Sequence, residues 1–333
     1  MKVHRPIHRL ITALLTVLLI AFTGCTDGSQ IPAERTSFMF DTIIEIKLWS
    51  EKDAEKILDS AFELCRHYDR LFDRHNPDSD ISRINSSAGQ PCTVDPDTAE
   101  LLSIALEYSR ISGGRFDITC GRVTSLWDFS SDAPTLPDSS LLSAALETVG
   151  WQNVVVDGCT VTIPEGTQLD LGGIAKGYIA DRVVEHLRQL GVKSAIVNLG
   201  GNVKVLGDKN GQPFSVGIQS PTDPEGYAGV LSVCDRSVVT AGSYQRSFEL
   251  NGSHYHHILD LSDGMPASTG LSSVSIIADS SSQADALATT CFLLGLDEGM
   301  ALVESMYGID AVFITDDGQI IMTDGAGSMF RSV

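Results

Sequence analysis

Basic side chains are scarce in this chain: 23 Lys+Arg stand against 43 Asp+Glu, a net charge of −20 over 333 residues. A surface of that sign repels nucleic acid and anionic lipid, so neither is expected as a partner. If the substrate is a phosphate ester, attraction has to be local, from a cation, a lysine or helix amides. No two of the seven cysteines form a CxxC pair, which leaves neither a zinc knuckle nor a thioredoxin-like motif. No repeat or low-complexity tract occurs, and beyond the first residues no second long apolar run stands out.

The apolar run that is present lies at the start. Lys2, Arg5 and Arg9 precede a nearly unbroken stretch from Leu10 to Ala21, too short to span a bilayer comfortably. It ends at Thr23-Gly24-Cys25, followed by polar, flexible residues. The pattern resembles a lipoprotein signal: residues 1–24 removed, Cys25 acylated, 25–36 a tether, and 37–331 the functional domain, exported and held at the outer face of the cytoplasmic membrane. Phe22 stands where that motif usually has leucine, and cleavage without lipid or an uncleaved spanning anchor are the alternatives. Removal of residues 1–24 leaves 20 Lys+Arg against 43 Asp+Glu, a net charge of −23. Several of the remaining cysteines, Cys291 among them, sit in apolar runs and read as buried thiols, unusual for an exported protein.

Periodicity predicts a strand over Thr42–Trp49 and helices over Ala54–Leu71, Asp97–Ile111, Pro137–Val149, Ile174–Leu190 and Gln283–Leu294. Short strands alternate with turns after Val154. The alternation is not a strict βαβ series, and an α+β fold is expected.

Three segments carry chemistry. On the last of those helices Asp285 and Thr289 fall at i and i+4 with Ala288 between them, so two oxygens face one point. An ionised Asp in so apolar a segment is costly unless paired or bound to a cation, and oxygen-only donors suit Mg²⁺ or Ca²⁺. The alternative is an ordinary first-turn Asp favoured by the helix dipole behind a Ser280–Ser282 cap. Leu169 to Asp181 runs a short strand through Gly172-Gly173 into a helix, with Lys176 in its first turn. Amides approachable at glycines beside a lysine make a phosphate cradle, while the spacing fits neither a Walker A loop nor GxGxxG. A tight turn with a surface lysine is the competing reading. In His254-Tyr-His-His-Ile-Leu-Asp260, an extended strand would put His256 and His257 on opposite faces, so one histidine acting as a base is favoured over a shared metal. A structural strand histidine is the plainer option.

Taken in order, Phe40-Asp41-Thr42, Asp80 to Asn85, Gly114 to Thr119 with Trp127, Asp170 to Asp181, Thr240 to Arg246, His257 to Asp260 and Ala284 to Thr289 resemble the ApbE family of FAD:protein FMN transferases. The resemblance implies T-fold-like mixed sheets with flanking helices and an FAD site between two lobes. It implies Mg²⁺ held by the side chains of Asp285 and Thr289 and the carbonyls of Gly173 and Ala288. Flavin-binding positions would be Phe40, His75, Arg115, Phe116, Asp117, Asp170, Lys176 and Leu259, with His257 as base toward a Thr or Ser hydroxyl of an acceptor protein, a membrane redox complex subunit. AMP would leave.

The chain departs from the family pattern at Ala241, at Leu261 and Asp263, and at His75, where an aromatic tyrosine often covers the flavin. If a smaller or more polar group there admits water, the alternative outcome is hydrolysis of FAD to FMN and AMP. A non-catalytic flavin-binding lipoprotein would need neither a base nor a cation, and the joint presence of His257, Asp285 and Thr289 argues against it.

Overall fold

A computed structural model describes residues 31–50 and 52–333. The expected signal segment, the expected acylation site Cys25 and residues 25–30 of the expected tether lie outside the described residues. Residues Ala33–Val333 form one compact unit.

Its frame is an eight-stranded sheet: β1 (Ala33–Met39), β2 (Thr42–Leu48), β3 (Ala195–Leu199), β4 (Asn202–Leu206), β5 (Ser237–Gly242), β6 (Leu271–Ala278), β7 (Asp310–Thr315) and β8 (Ile320–Met322). The spatial order equals the chain order, and every neighbouring pair is antiparallel. The frame is therefore a meander into which larger segments are inserted. Helices α1 (Ala54–Phe72), α2 (Pro96–Ile111) and α3 (Ala175–Gln189) fall between β2 and β3, and α4 (Ser281–Glu304) joins β6 to β7.

Both faces of the central strands are covered. Val239, Ile276, Ala311 and Phe313 point into the main core with α1, α3 and α4. Their neighbours Val238, Ile277, Val312 and Ile314 face a small sheet of residues Phe214–Gln219, Tyr227–Val233 and Phe330–Ser332. Two-sided burial explains why β7, with Ala311-Val-Phe-Ile314, reads as an apolar run while β1 does not. A satellite cluster around Val123, Trp127, Leu142, Ala145 and Leu259 sits beside this layered body within the same compact unit.

Three boundaries differ from the sequence expectation. Ala33–Thr36, assigned to the tether, begin β1. Its inward residues are Ala33, Arg35, Ser37 and Met39, two of them polar, and the outward side carries Phe38, so the alternation of burial is not matched by a clean alternation of hydrophobicity. The helix expected to stop at Leu294 resumes beyond a break at Gly295 (φ 79°) and continues to Glu304. It is long and apolar enough to cross a membrane, but it is packed against β5 and β6 as a core helix. The expected helix over 137–149 is confined to Ser139–Leu146, capped by Asp138.

The six cysteines of the described region are all free thiols. Cys65 and Cys291 are buried, and desolvation pushes each thiol up to about 12. Cys291 is buried as expected, Cys92, Cys120 and Cys159 are partly buried, and Cys234 is exposed.

Candidate active site

The site forms where α3 and α4 cross. Gly177 makes the crossing close: a Cβ there would lie 2.3 Å from the Ser281 carbonyl oxygen, so only glycine lets the two backbones meet. Across this contact the Gly177 N–H donates to Asp285 Oδ2 at 2.9 Å. One turn earlier a Cβ on Gly173 would lie 3.0 Å from the Phe116 ring and 3.6 Å from Thr289 Oγ1. The glycine turn and the Asp285/Thr289 face, far apart in sequence, are thus brought together.

Asp285 is buried, and desolvation raises its pKa; the positive charge of Lys176 and the Gly177 N–H oppose that rise. The Asn202 amide also favours the carboxylate, although its Nδ2 is buried without a well-aligned hydrogen-bond partner. A buried carboxylate with one backbone donor and a nearby ammonium is short of positive charge. This excludes the plain first-turn Asp: the cap is made by Ser280, and Asp285 lies beyond it, against α3.

The turn before α3 is held by Asp170. Its Oδ1 accepts from the Gly172 N–H at 2.9 Å, and its Oδ2 accepts from Thr124 Oγ1 at 2.7 Å and pairs with Arg74 Nη1 at 2.9 Å. Lys176 Nζ approaches the Gly172 carbonyl at 3.4 Å. Arg74 was not singled out by sequence reasoning, although its neighbour His75 was; His75 itself is exposed, with Nε2 3.4 Å from Arg74 Nε.

Asp117 is buried and desolvation raises its pKa. Its carboxylate is taken up by Thr119 N (2.8 Å), Thr119 Oγ1 (2.6 Å) and Trp151 N (3.0 Å), so it shapes the loop that presents Phe116. Arg115 is exposed, 3.5 Å from Asp260 Oδ2. Leu259 is buried in the satellite cluster, next to a short pairing of Leu259–Asp260 with Met265–Pro266. Phe40 and Asp41 are the two residues of the β1–β2 turn, with φ of 54° and 55°. Positive φ at both positions is the type I′ geometry that tight hairpins prefer. Asp tolerates it; a phenylalanine there is strained, at a cost of about 1–3 kcal/mol that functional positions characteristically carry.

His257 is half-buried, outside the hairpin Ser247–Leu250/Ser253–His256, and its N–H donates to the Arg246 carbonyl at 3.0 Å. The bend at this point separates it from His256, whose ring is tied to the Ala267 carbonyl at 3.0 Å. Desolvation, then the charges of Arg246 and Lys176, lower the His257 pKa to about 4. Its Nδ1 is buried and has no hydrogen-bond partner. Arg246 in turn donates to the Asp41 carbonyl at 3.1 Å, linking the histidine to the hairpin tip. Lys176 is the connecting charge, felt by both Asp285 and His257.

A glycine turn with Lys176 beside it, a buried carboxylate next to a threonine hydroxyl, and a histidine with a buried, unpartnered ring nitrogen are gathered on a large antiparallel sheet, an arrangement suited to group transfer. The ApbE family model matches residues 40–313. A Treponema pallidum FAD:protein FMN transferase is 37% identical over 94% of this chain and 92% of its own length. A Klebsiella pneumoniae protein of the same name is 35% identical, covering 84% and 88%. Among solved structures, an ApbE protein from Thermotoga maritima aligns with a TM-score of 0.84 at 29% identity over 91% of this chain and 100% of that one. The apo flavinyl transferase ApbE of Pseudomonas stutzeri gives 0.77 at 29% identity over 88% and 94%. The chain belongs to the ApbE family and is an enzyme of the transferase kind.

Proposed function

We propose that this enzyme transfers FMN from FAD to a Thr or Ser hydroxyl of an acceptor protein, releasing AMP. The observation that carries the reading is the meeting of two distant segments at the α3–α4 crossing: the Gly177 N–H donates to the buried Asp285 at 2.9 Å and Gly173 faces Thr289 Oγ1, with Lys176 in the turn between them.

The donor set fits a hard divalent cation. Asp285 is buried and short of positive charge, Thr289 Oγ1 faces Gly173, and no sulfur or imidazole ligand is among them. The side chains of Asp285 and Thr289 and the carbonyls of Gly173 and Ala288 would hold Mg²⁺. Bound there, the ion would polarise the pyrophosphate and offset charge on its oxygens.

The chain's own groups account for the remainder. Asp170, fixed by Arg74 and Thr124, holds the Gly172 amide and so the shape of the cradle. Lys176 neutralises the phosphates. His257 takes the proton of the acceptor hydroxyl; that oxygen forms a bond to the FMN phosphorus, the P–O bond to the AMP phosphate breaks, and the electron pair leaves with AMP. An imidazole nitrogen buried without a protein partner is suited to a partner that arrives with substrate.

Lys176→Ala should weaken FAD binding substantially, because a phosphate-facing ammonium acts on bound substrate and transition state alike. Lys176→Arg should not restore it, since a planar fork fits a narrow glycine cradle poorly. Fluorescence titration with FAD checks this, and unchanged affinity in Lys176→Ala would return the residue to a surface role.

We also propose export with acylation at Cys25, on the basic start, the short apolar stretch and the small residues before the cysteine. Cys25→Ala should abolish labelling by radioactive palmitate and move the protein to the soluble fraction; persistent labelling would contradict it. The acceptor is then reached at a membrane surface, consistent with a membrane redox subunit.

A further inference from the structure

We propose that Asp181 is a positioning residue for the cation site: from α3 it caps the neighbouring helix α4 and so fixes where Asp285 and Thr289 stand relative to Gly173. This rests on the cation reading given above.

The first amides of a helix have no intrahelical partner. In α4 the local cap, Ser280, takes only the Gln283 N–H, at 3.3 Å. Two more amides are satisfied from outside: Ser281 N–H donates to Asp181 Oδ1 at 2.8 Å and Ser282 N–H to Asp181 Oδ2 at 2.9 Å. The hydroxyls of Ser280 and Ser282 each donate to Oδ2 at 2.9 Å. Lys204 Nζ, on β4, donates to Oδ1 at 2.6 Å and to the Asp279 carbonyl at 2.7 Å, and Lys204 is itself buried. One carboxylate thus gathers five donors, four from the start of α4 and one from the sheet beneath it.

The geometry makes this more than a cap. Gly177 and Asp181 are i and i+4 on α3, so they share the face that meets α4. Asp181 grips Ser281 and Ser282, and one turn back Gly177 grips Asp285. These two rungs set the register of α4 against α3. Gly173 and Lys176 lie at the start of α3, and Asp285 and Thr289 on α4, so the register is what brings the two halves of the site together. Lys204 also offsets the negative charge of Asp181, which otherwise disfavours ionised Asp285.

Asp181→Asn keeps the volume but points an amide at donors. Removing a group that orients a metal ligand typically weakens metal affinity by about 10- to 100-fold. The Mg²⁺ concentration for half-maximal rate should rise by about that factor, and the Mg²⁺-induced rise in melting temperature should need correspondingly more Mg²⁺. The rate at saturating Mg²⁺, and FAD affinity measured without Mg²⁺, should stay close to the parent. Lys204→Met should shift Mg²⁺ dependence in the same direction by less, and it decides the matter if Asp181→Asn does not fold. Parental Mg²⁺ affinity in a folded Asp181→Asn, or in Lys204→Met when only that variant folds, would overturn the proposal. Asp285→Asn is the control: if it too binds Mg²⁺ like the parent, the cation reading itself fails, whereas a defect in Asp285→Asn alone fails only the role of Asp181.

Discussion

His257→Ala is expected to bind FAD like the parent while losing about 10²- to 10⁴-fold in transfer rate, the usual contribution of a positioned base. Three features of the structure set this expectation. The imidazole has a buried nitrogen without a partner, its backbone is anchored to Arg246 independently of the ring, and its pKa is lowered to about 4. Because the neutral form is the one that accepts a proton, the base is available at neutral pH, and the acid limb of kcat/KM for the free enzyme should fall well below the ordinary imidazole range near 6.5. In His257→Ala that limb should vanish, and residual transfer should climb with pH as the acceptor hydroxyl ionises more readily.

The same shift has a consequence for stability. Between about pH 6.5 and about 4 an unfolded chain takes up a proton on this histidine and the folded chain does not. Folding stability contributed by the neutral imidazole is therefore lost as pH falls through that window, and His257→Ala should flatten that part of the pH–stability curve. A folded variant with parental transfer rates at neutral pH would remove the base assignment, while joint loss of thermal stability and FAD affinity would indicate a structural histidine.

Asp285→Ala should reduce FMN release by about 10²-fold or more, since it deletes the only charged donor assigned to the cation and even groups behind metal ligands typically contribute about 10- to 100-fold. Stability should change little or rise. Alanine leaves the Gly177 N–H without its acceptor, but it also removes a buried carboxylate whose ionised form is disfavoured by desolvation. Rates measured across a Mg²⁺ titration, together with urea unfolding, separate the two effects. Full activity at limiting Mg²⁺ would end the cation assignment.

Much of this site was legible in the sequence because its parts are local. Asp285 and Thr289 share a helix face by spacing alone, and Gly172-Gly173 with Lys176 is a contiguous turn. The partners that give these groups their properties were not legible. Arg74 and Thr124 reach Asp170 from 96 and 46 residues away in sequence, and Asp181 reaches Ser281 from 100. The Asp181 contact is a product of the α3–α4 crossing, and its one local trace is the i, i+4 spacing of Gly177 and Asp181.

The fold is legible within the same limits. β1 escaped notice because an edge strand with Arg35 and Ser37 on its inner side lacks a hydrophobic alternation. The far half of α4 was cut off at Gly295, a residue that ends many helices and here only breaks one. The role of Asp117 also needed the structure, since a carboxylate at a flavin-binding position is indistinguishable in sequence from one that holds its own loop.

The central claim is transfer to protein, and a single incubation tests it: mature enzyme, FAD, Mg²⁺ and a flavin-acceptor protein with its target Thr or Ser intact, followed by denaturation and separation of AMP, free FMN and protein-bound flavin. Transfer predicts AMP released in step with flavin that stays on the acceptor after denaturation, and neither product above background when the target residue is replaced by alanine. AMP appearing with an equal amount of free FMN, whether or not the acceptor is present, would contradict it and make the enzyme a hydrolase of FAD.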